Sequence, residues 1–111
     1  MRILVATEGR DLNAKVSDRF GRCPYFIVYD TDSKSFDAIK NPGASLPGGA
    51  GNAAVQEVVD CKAEIVLCQK MGPKAGDSLK SANIPYRDGF KDTVKEAINM
   101  ILAEKKLELI P

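Results

Sequence analysis

The chain passes from a polar loop into an apolar strand at residues 19–29, RFGRCPYFIVY. Gly21 allows backbone geometry that other residues resist. Pro24 fixes its own φ and favours an extended conformation for Cys23. We therefore expect Cys23 at the entrance of a strand with two arginines nearby, a setting in which positive charge lowers the pKa of a thiol. An ordinary turn is the alternative interpretation.

The composition is typical of one small globular domain. The 111 residues suit a single domain spanning 1–111, and 44% of them are hydrophobic. Sixteen basic and fifteen acidic residues give a net charge of +1. The chain therefore lacks the excess of positive charge that is typical of nucleic-acid-binding proteins. No apolar stretch is long enough to span a bilayer or to form a signal peptide, so we expect no membrane partner. No pattern specifies an oligomeric state.

Cysteine and histidine usage narrows the possible chemistry. The chain has three cysteines, none closely paired, and no histidine. Few, unpaired cysteines are typical of a reducing compartment, and we expect a cytoplasmic protein. The absence of histidine removes the usual general base and the commonest metal ligand. Any metal would therefore depend on Cys, Asp, Glu, Met or backbone groups.

Five short apolar segments predict strands, at residues 3–6, 26–29, 36–40, 65–68 and 84–87. The turn residues 30–33 make the second and third strands an antiparallel pair. Helices are predicted after the glycine-rich loop 41–52, after Gly72-Pro73, and across Val94–Leu102. This order indicates a mixed sheet with helices on both faces, in which strands one, four and five are parallel.

The topology predicts where a ligand would bind. Ligands of open α/β sheets bind outside the carboxyl ends of the parallel strands. Strands one and four end there, at residues 7–9 and 68–72. The antiparallel second strand starts at the same edge with Cys23, and the third delivers residues 47–51 to it. We therefore place the candidate site at this edge, as a hypothesis.

The chemistry at this edge favours an anion. Helix starts offer free N–H groups and a positive dipole end, and the glycines at these starts are Gly48, Gly49, Gly51 and Gly72. Positive charge comes from Arg19, Arg22, Lys70 and Lys74. Cys23 adds a soft sulfur ligand suited to iron, copper or zinc. Each feature alone also fits a plain helix start, a solvated cation or a buried thiol.

Several motifs together resemble one known family. They are VSDRFGRCPYF at residues 16–26, Asn41-Pro42, GGAG at 48–51 and GPKA at 72–75. The chain is similar over nearly its whole length to the dinitrogenase iron–molybdenum cofactor biosynthesis family, which includes nitrogenase accessory factors. Family members often carry histidine where this chain has Arg19, and arginine can pair with an anion but cannot ligate a metal as histidine does.

The resemblance implies a three-layer α/β/α fold of the ribonuclease H-like type. Its sheet has five strands in the order 3-2-1-4-5, with strand 2 antiparallel. It also implies a non-catalytic protein that binds an iron–sulfur or molybdenum-containing cluster, received from a donor and passed to an acceptor protein. Carried onto this sequence, the cluster site comprises Arg19, Phe20, Gly21, Arg22, Cys23, Gly48, Gly49, Gly51, Gly72 and Lys74, with Cys23 as the metal ligand.

Three other functions stay open at this stage. A sensor or interaction module for a phosphate ester or nucleotide would use the same helix starts without the thiol. A metal-dependent nuclease would need carboxylates gathered on the sheet, and the first and fourth strands carry none. Thiol redox chemistry would need a cysteine partner close to the first.

Overall fold

The computed structural model describes all residues, 1–111. It contains five strands and three helices, in the order β1 (Arg2–Thr7), β2 (Tyr25–Asp30), β3 (Ser35–Lys40), α1 (Ala50–Asp60), β4 (Ile65–Leu67), α2 (Pro73–Ser81), β5 (Tyr86–Arg87) and α3 (Val94–Glu104). None of the three helices has the length and apolar character needed to cross a membrane.

The strands form one mixed sheet in the order β3-β2-β1-β4-β5. β2 is antiparallel to both β1 and β3, whereas β4 is parallel to β1 and β5 is parallel to β4. The central strand β1 is buried from Ile3 to Thr7, as expected for a continuous apolar run covered on both faces. The predicted strand order and the antiparallel second strand are confirmed.

Alternation along β1 divides the interior into two cores. Leu4 and Ala6 pack on one face against α1 and α2, and Ile3 and Val5 pack on the other face against α3. Successive strand residues point to opposite faces, so one short strand supplies both cores. The result is the expected three-layer α/β/α arrangement.

Two segments differ from the prediction. The last strand contains only Tyr86–Arg87, because Pro85 has no N–H to donate and contributes only a carbonyl, which accepts from Val66 N at 3.1 Å. The predicted loop at residues 10–18 includes a β-bridge between Thr7 and Val16. Val16 is fully buried in the core beneath α3, so its apolar side chain draws this part of the loop onto the sheet.

The register of the strands brings three segments of the chain to one edge of the sheet. Thr7 pairs with Tyr25, so Cys23 lies just beyond the carboxyl end of β1. β4 is parallel to β1, so residues 68–72 emerge at the same edge. These segments therefore meet at the edge where the sequence analysis expected them.

Candidate functional site

A pocket of about 380 Å³ opens at this edge, and its lining residues are Arg19, Phe20, Gly21, Arg22, Ala50, Gly51, Lys70 and Gly72. These residues come from three segments: the loop before β2, the first turn of α1 and the connection from β4 to α2. All of them except Ala50 were singled out from the sequence. The volume lies near the lower end of the range of small-molecule sites, roughly 300–1,000 Å³.

Backbone contacts hold the three segments together. The amide of Phe20 donates to the carbonyl of Lys70 at 3.4 Å. A Cβ built on Gly21 would lie 3.4 Å from the Cα of Gly51, so the loop and helix α1 pass in near contact. The ring of Phe20 anchors the loop by packing on Phe26, with ring centroids 5.6 Å apart.

The side-chain charges of the pocket are all positive. Arg19, Arg22 and Lys70 line it, and no acidic side chain does. Arg22 also donates through Nη1 to the carbonyl of Leu46, which ties the glycine-rich loop to the pocket mouth. Three cations around a small concave space favour an anionic occupant.

Both helices that reach the pocket begin without a side-chain cap. α1 starts after Gly49, whose φ is 73°, and its first intrahelical bond runs from Ala53 N to Gly49 O. The three amides before Ala53 therefore have no intrahelical acceptor. α2 starts after Gly72 with a proline at its first position, and its first bond runs from Gly76 N to Gly72 O. Uncapped amides of this kind are the donors that bind anions at helix starts.

Three of the predicted glycines leave open space. A Cβ added at Gly48, Gly49 or Gly72 would meet no atom within 4 Å, although the positive φ of Gly49 disfavours a side chain there. Gly72 lines the pocket, whereas Gly48, Gly49 and Lys74 are exposed neighbours that do not line it. The structure thus brings most of the predicted residues together and leaves these three at the margin.

Cys23 is not a lining residue. It is 1% exposed and lies in the apolar core between the sheet and helices α1 and α2. Its thiol donates to the carbonyl of Phe20 at 3.2 Å and accepts from Nδ2 of Asn41 at 3.6 Å. Burial raises the pKa of this thiol from its ordinary value of 9.0 to about 12. The expected lowering of the pKa by nearby arginines is therefore wrong, because Arg19 and Arg22 are solvated while the sulfur is not.

Asn41 is the residue of this region to which the sequence analysis assigned no role. It is 3% exposed, and its Nδ2 donates to the carbonyls of Gly21 at 3.1 Å and of Cys23 at 2.8 Å. One signal in the sequence could have identified it. The residue that follows the third strand faces the entrance of the antiparallel second strand, so the hairpin pairing places Asn41 next to Cys23.

The remaining reactive side chains are dispersed. Burial also raises the pKa of Cys68 to about 12, and Cys61 caps the far end of α1. No three Cys, Asp or Glu side chains gather closely enough to hold a metal ion. A larger surface groove of about 650 Å³ runs beside α3, but acidic and basic side chains are mixed along it.

Fold and pocket together define a three-layer α/β protein with a basic, glycine-lined pocket at one edge of its sheet. The chain belongs to the dinitrogenase iron–molybdenum cofactor family, whose model matches residues 1–104. It is thus a small protein of a metallocluster-related family.

Two solved structures resemble it closely. The apo form of the orange protein from Desulfovibrio gigas is 31% identical, has a TM-score of 0.88, and the match covers 98% of this chain and 92% of that one. A proposed NifB protein of the DUF35 family from Thermotoga, solved by NMR, is 34% identical with a TM-score of 0.78, covering 97% and 91%. An uncharacterized protein of Methanocaldococcus jannaschii is 26% identical over 99 residues, covering 86% of this chain and 83% of the relative.

Proposed function

We propose that this protein is a non-catalytic, cytoplasmic carrier of an anionic iron–sulfur or molybdenum-containing metallocluster. It would receive the cluster from a donor protein and release it to an acceptor. The observation that carries the proposal is a pocket with three cations, no acidic side chain and two uncapped helix starts. Family membership supports a metallocluster as the anion, and the similar orange protein was solved in its apo form.

The pocket's donor set suits a sulfide-bridged anion. Backbone N–H groups donate hydrogen bonds to sulfide edges, and the three cations offset the net negative charge. Each of these contacts is weak compared with a metal–thiolate bond. A carrier must release its cargo, so a site made mainly of such contacts fits transfer better than a permanent cysteine cage does.

Cys23 is the proposed soft ligand to the metal. It follows directly on the pocket-lining residues 19–22, and two hydrogen bonds hold its sulfur in the core. To reach the cluster, the loop at residues 20–23 must open and the thiol must lose its proton. Contact with a metal would favour that loss, because a coordinating thiol is deprotonated.

Anaerobic reconstitution with iron, sulfide and tetrathiomolybdate tests the proposal, with visible absorption and metal analysis after desalting. The pocket variant replaces the three lining cations: Arg19→Gln, Arg22→Gln and Lys70→Gln. The matched control removes the same charge at the opposite ends of the helices: Lys62→Gln, Lys80→Gln and Lys105→Gln.

We expect wild type and control to retain metal and the pocket variant to lose most of it. Retention should also weaken as ionic strength rises from about 0.05 M to about 0.5 M, because salt screens exposed charges. Equal retention by the two charge variants would remove the pocket from the mechanism, and no retention by wild type would overturn the cluster proposal.

The protonated, withdrawn state of Cys23 favours a second candidate, a sensor module for a phosphate ester or nucleotide. Such a ligand would use the same cations and amides and would not need sulfur. It predicts thermal stabilisation by phosphate esters that persists in Cys23→Ser. A cluster carrier that uses Cys23 predicts instead that the variant loses its cargo.

A further inference from the structure

We propose that Asn41 is a positioning residue that sets the spacing between two backbone walls of the pocket, the loop at Gly21 and the first turn of α1 at Ala50. The proposal deepens the function above, because it concerns the same pocket. Its structural basis is a buried carboxamide with both ends hydrogen-bonded to different loops.

The nitrogen end holds the first wall. Nδ2 of Asn41 donates to the carbonyls of Gly21 at 3.1 Å and of Cys23 at 2.8 Å. Gly21 lines the pocket, and a Cβ on it would be in contact with Gly51. The two donor bonds therefore fix how closely the loop approaches the first turn of α1.

The oxygen end holds the second wall. Oδ1 of Asn41 accepts from the amide of Gly43 at 2.9 Å. Gly43 in turn lies against Ala50, since a Cβ at Gly43 would be 2.6 Å from the Ala50 carbonyl oxygen and 3.1 Å from its Cα. Ala50 is the first residue of α1 and lines the pocket. One side chain thus positions Gly21 directly and Ala50 through Gly43.

The same side chain secures Cys23 in the core. The backbone amide of Asn41 also donates to the carbonyl of Pro24 at 3.0 Å, so Asn41 joins the end of β3 to the whole entrance of β2. Removing the carboxamide leaves two carbonyls of this loop without their donors, which is unfavourable for buried groups. The loop should then open locally and expose the thiol.

The test compares Asn41→Ala with Asn99→Ala. Asn99 is the control, because its carboxamide is also hydrogen-bonded to the backbone at both ends, in its case to the carbonyl and amide of Ile110, and it lies away from the pocket. Alkylation of all three cysteines by iodoacetamide is followed by peptide mass spectrometry, which needs no ligand. Binding of tetrathiomolybdate is measured on the same proteins.

We expect iodoacetamide to alkylate Cys23 about tenfold faster in Asn41→Ala than in wild type. The variant should bind tetrathiomolybdate, an anion that the cations and backbone amides hold without the thiol, about tenfold more weakly, the effect of losing a buried hydrogen-bond partner. The rate at Cys68 should be unchanged, and Asn99→Ala should match wild type in both assays. An unchanged rate at Cys23, or equal rises at Cys23 and Cys68, overturns the positioning role. If wild type binds no tetrathiomolybdate, the carrier proposal fails, but the alkylation rates still test the positioning role of Asn41.

A measurement on wild type keeps the proposal testable if Asn41→Ala does not fold. The amide of Gly43 donates to Asn41, whereas the amide of Gly48 has no acceptor. In hydrogen exchange followed by NMR, we expect the Gly43 amide to exchange about a hundredfold more slowly than the Gly48 amide, relative to their intrinsic rates. Equal exchange of the two amides would overturn the proposal.

Discussion

Gly21 and Gly51, thirty residues apart in sequence, pass so close that a Cβ on Gly21 would lie 3.4 Å from the Cα of Gly51 and 3.5 Å from its nitrogen. These distances are ordinary van der Waals contacts, so the added methyl would fit. It would, however, cover the Gly51 amide, one of the free donors at the start of α1.

Gly21→Ala should therefore separate binding from folding. We expect a free energy of unfolding within about 1 kcal/mol of wild type and clearly weaker retention of tetrathiomolybdate. Chemical denaturation and equilibrium dialysis measure the two quantities. Gly48→Ala is the control, since its methyl enters open space outside the pocket. Normal binding by Gly21→Ala would show that the amide of Gly51 is not used.

Gly43→Ala should act on stability. The new Cβ would lie 2.6 Å from the backbone oxygen of Ala50, and a helix backbone cannot yield as the end of a flexible side chain can. We expect a loss of about 1–3 kcal/mol in the free energy of unfolding, the usual cost of overpacking. Urea denaturation checks this against Gly48→Ala, which should be nearly neutral. An equally small effect at both positions would contradict the close approach of this loop to α1.

Stability should fall in alkaline solution through two buried thiols. Burial raises the pKa of Cys23 and of Cys68 from 9.0 to about 12. Below pH 9 these thiols are protonated in both folded and unfolded chains, so they contribute no pH dependence there. Between about pH 9 and 12 only the unfolded chain releases these protons, and each thiol lowers the free energy of unfolding by up to about 1.4 kcal/mol per pH unit.

The double variant Cys23→Ala, Cys68→Ala isolates this contribution from that of the lysines and tyrosines. Denaturation at a series of pH values should give a shallower alkaline decline for the variant than for wild type. Parallel curves would mean that the thiols are already solvated in the folded protein.

Cys23→Ser tests the proposed soft ligand. A serine hydroxyl can still donate to the Phe20 carbonyl that accepts from the thiol, so we expect the variant to fold. Without the sulfur it should retain little metal after anaerobic reconstitution and desalting. Cys61→Ser, at the far end of α1, should retain as much as wild type. Undiminished retention by Cys23→Ser would restrict the mechanism to cations and backbone amides.

Most of the pocket could be predicted because it depends on topology. Once β2 is antiparallel and two helices begin with glycine, residues 19–22, Gly51 and Gly72 must meet at one edge. The environment of Cys23 could not be predicted in the same way. Proximity along the chain places arginines near the thiol, but it does not determine that they face solvent while the sulfur faces the core.

Asn41 illustrates a second reason why part of the site could not be predicted from the sequence. Its carboxamide acts on residues 18 and 20 positions earlier in the chain, and no local pattern indicates a bond of that kind. The shortened β5 is a different case, because Pro85, which has no N–H for the ladder, is visible in the sequence.

The pocket is assembled from three segments that are distant in sequence and meet only in the folded chain. An unfolded chain therefore has no such pocket, and binding of the proposed cargo would stabilise the fold by mass action. At a free cargo concentration one hundred times the Kd, the gain is about 2.7 kcal/mol. On the proposed function, the loaded and empty forms of the protein would differ in lifetime, because the empty form would be the more readily unfolded and degraded by proteases.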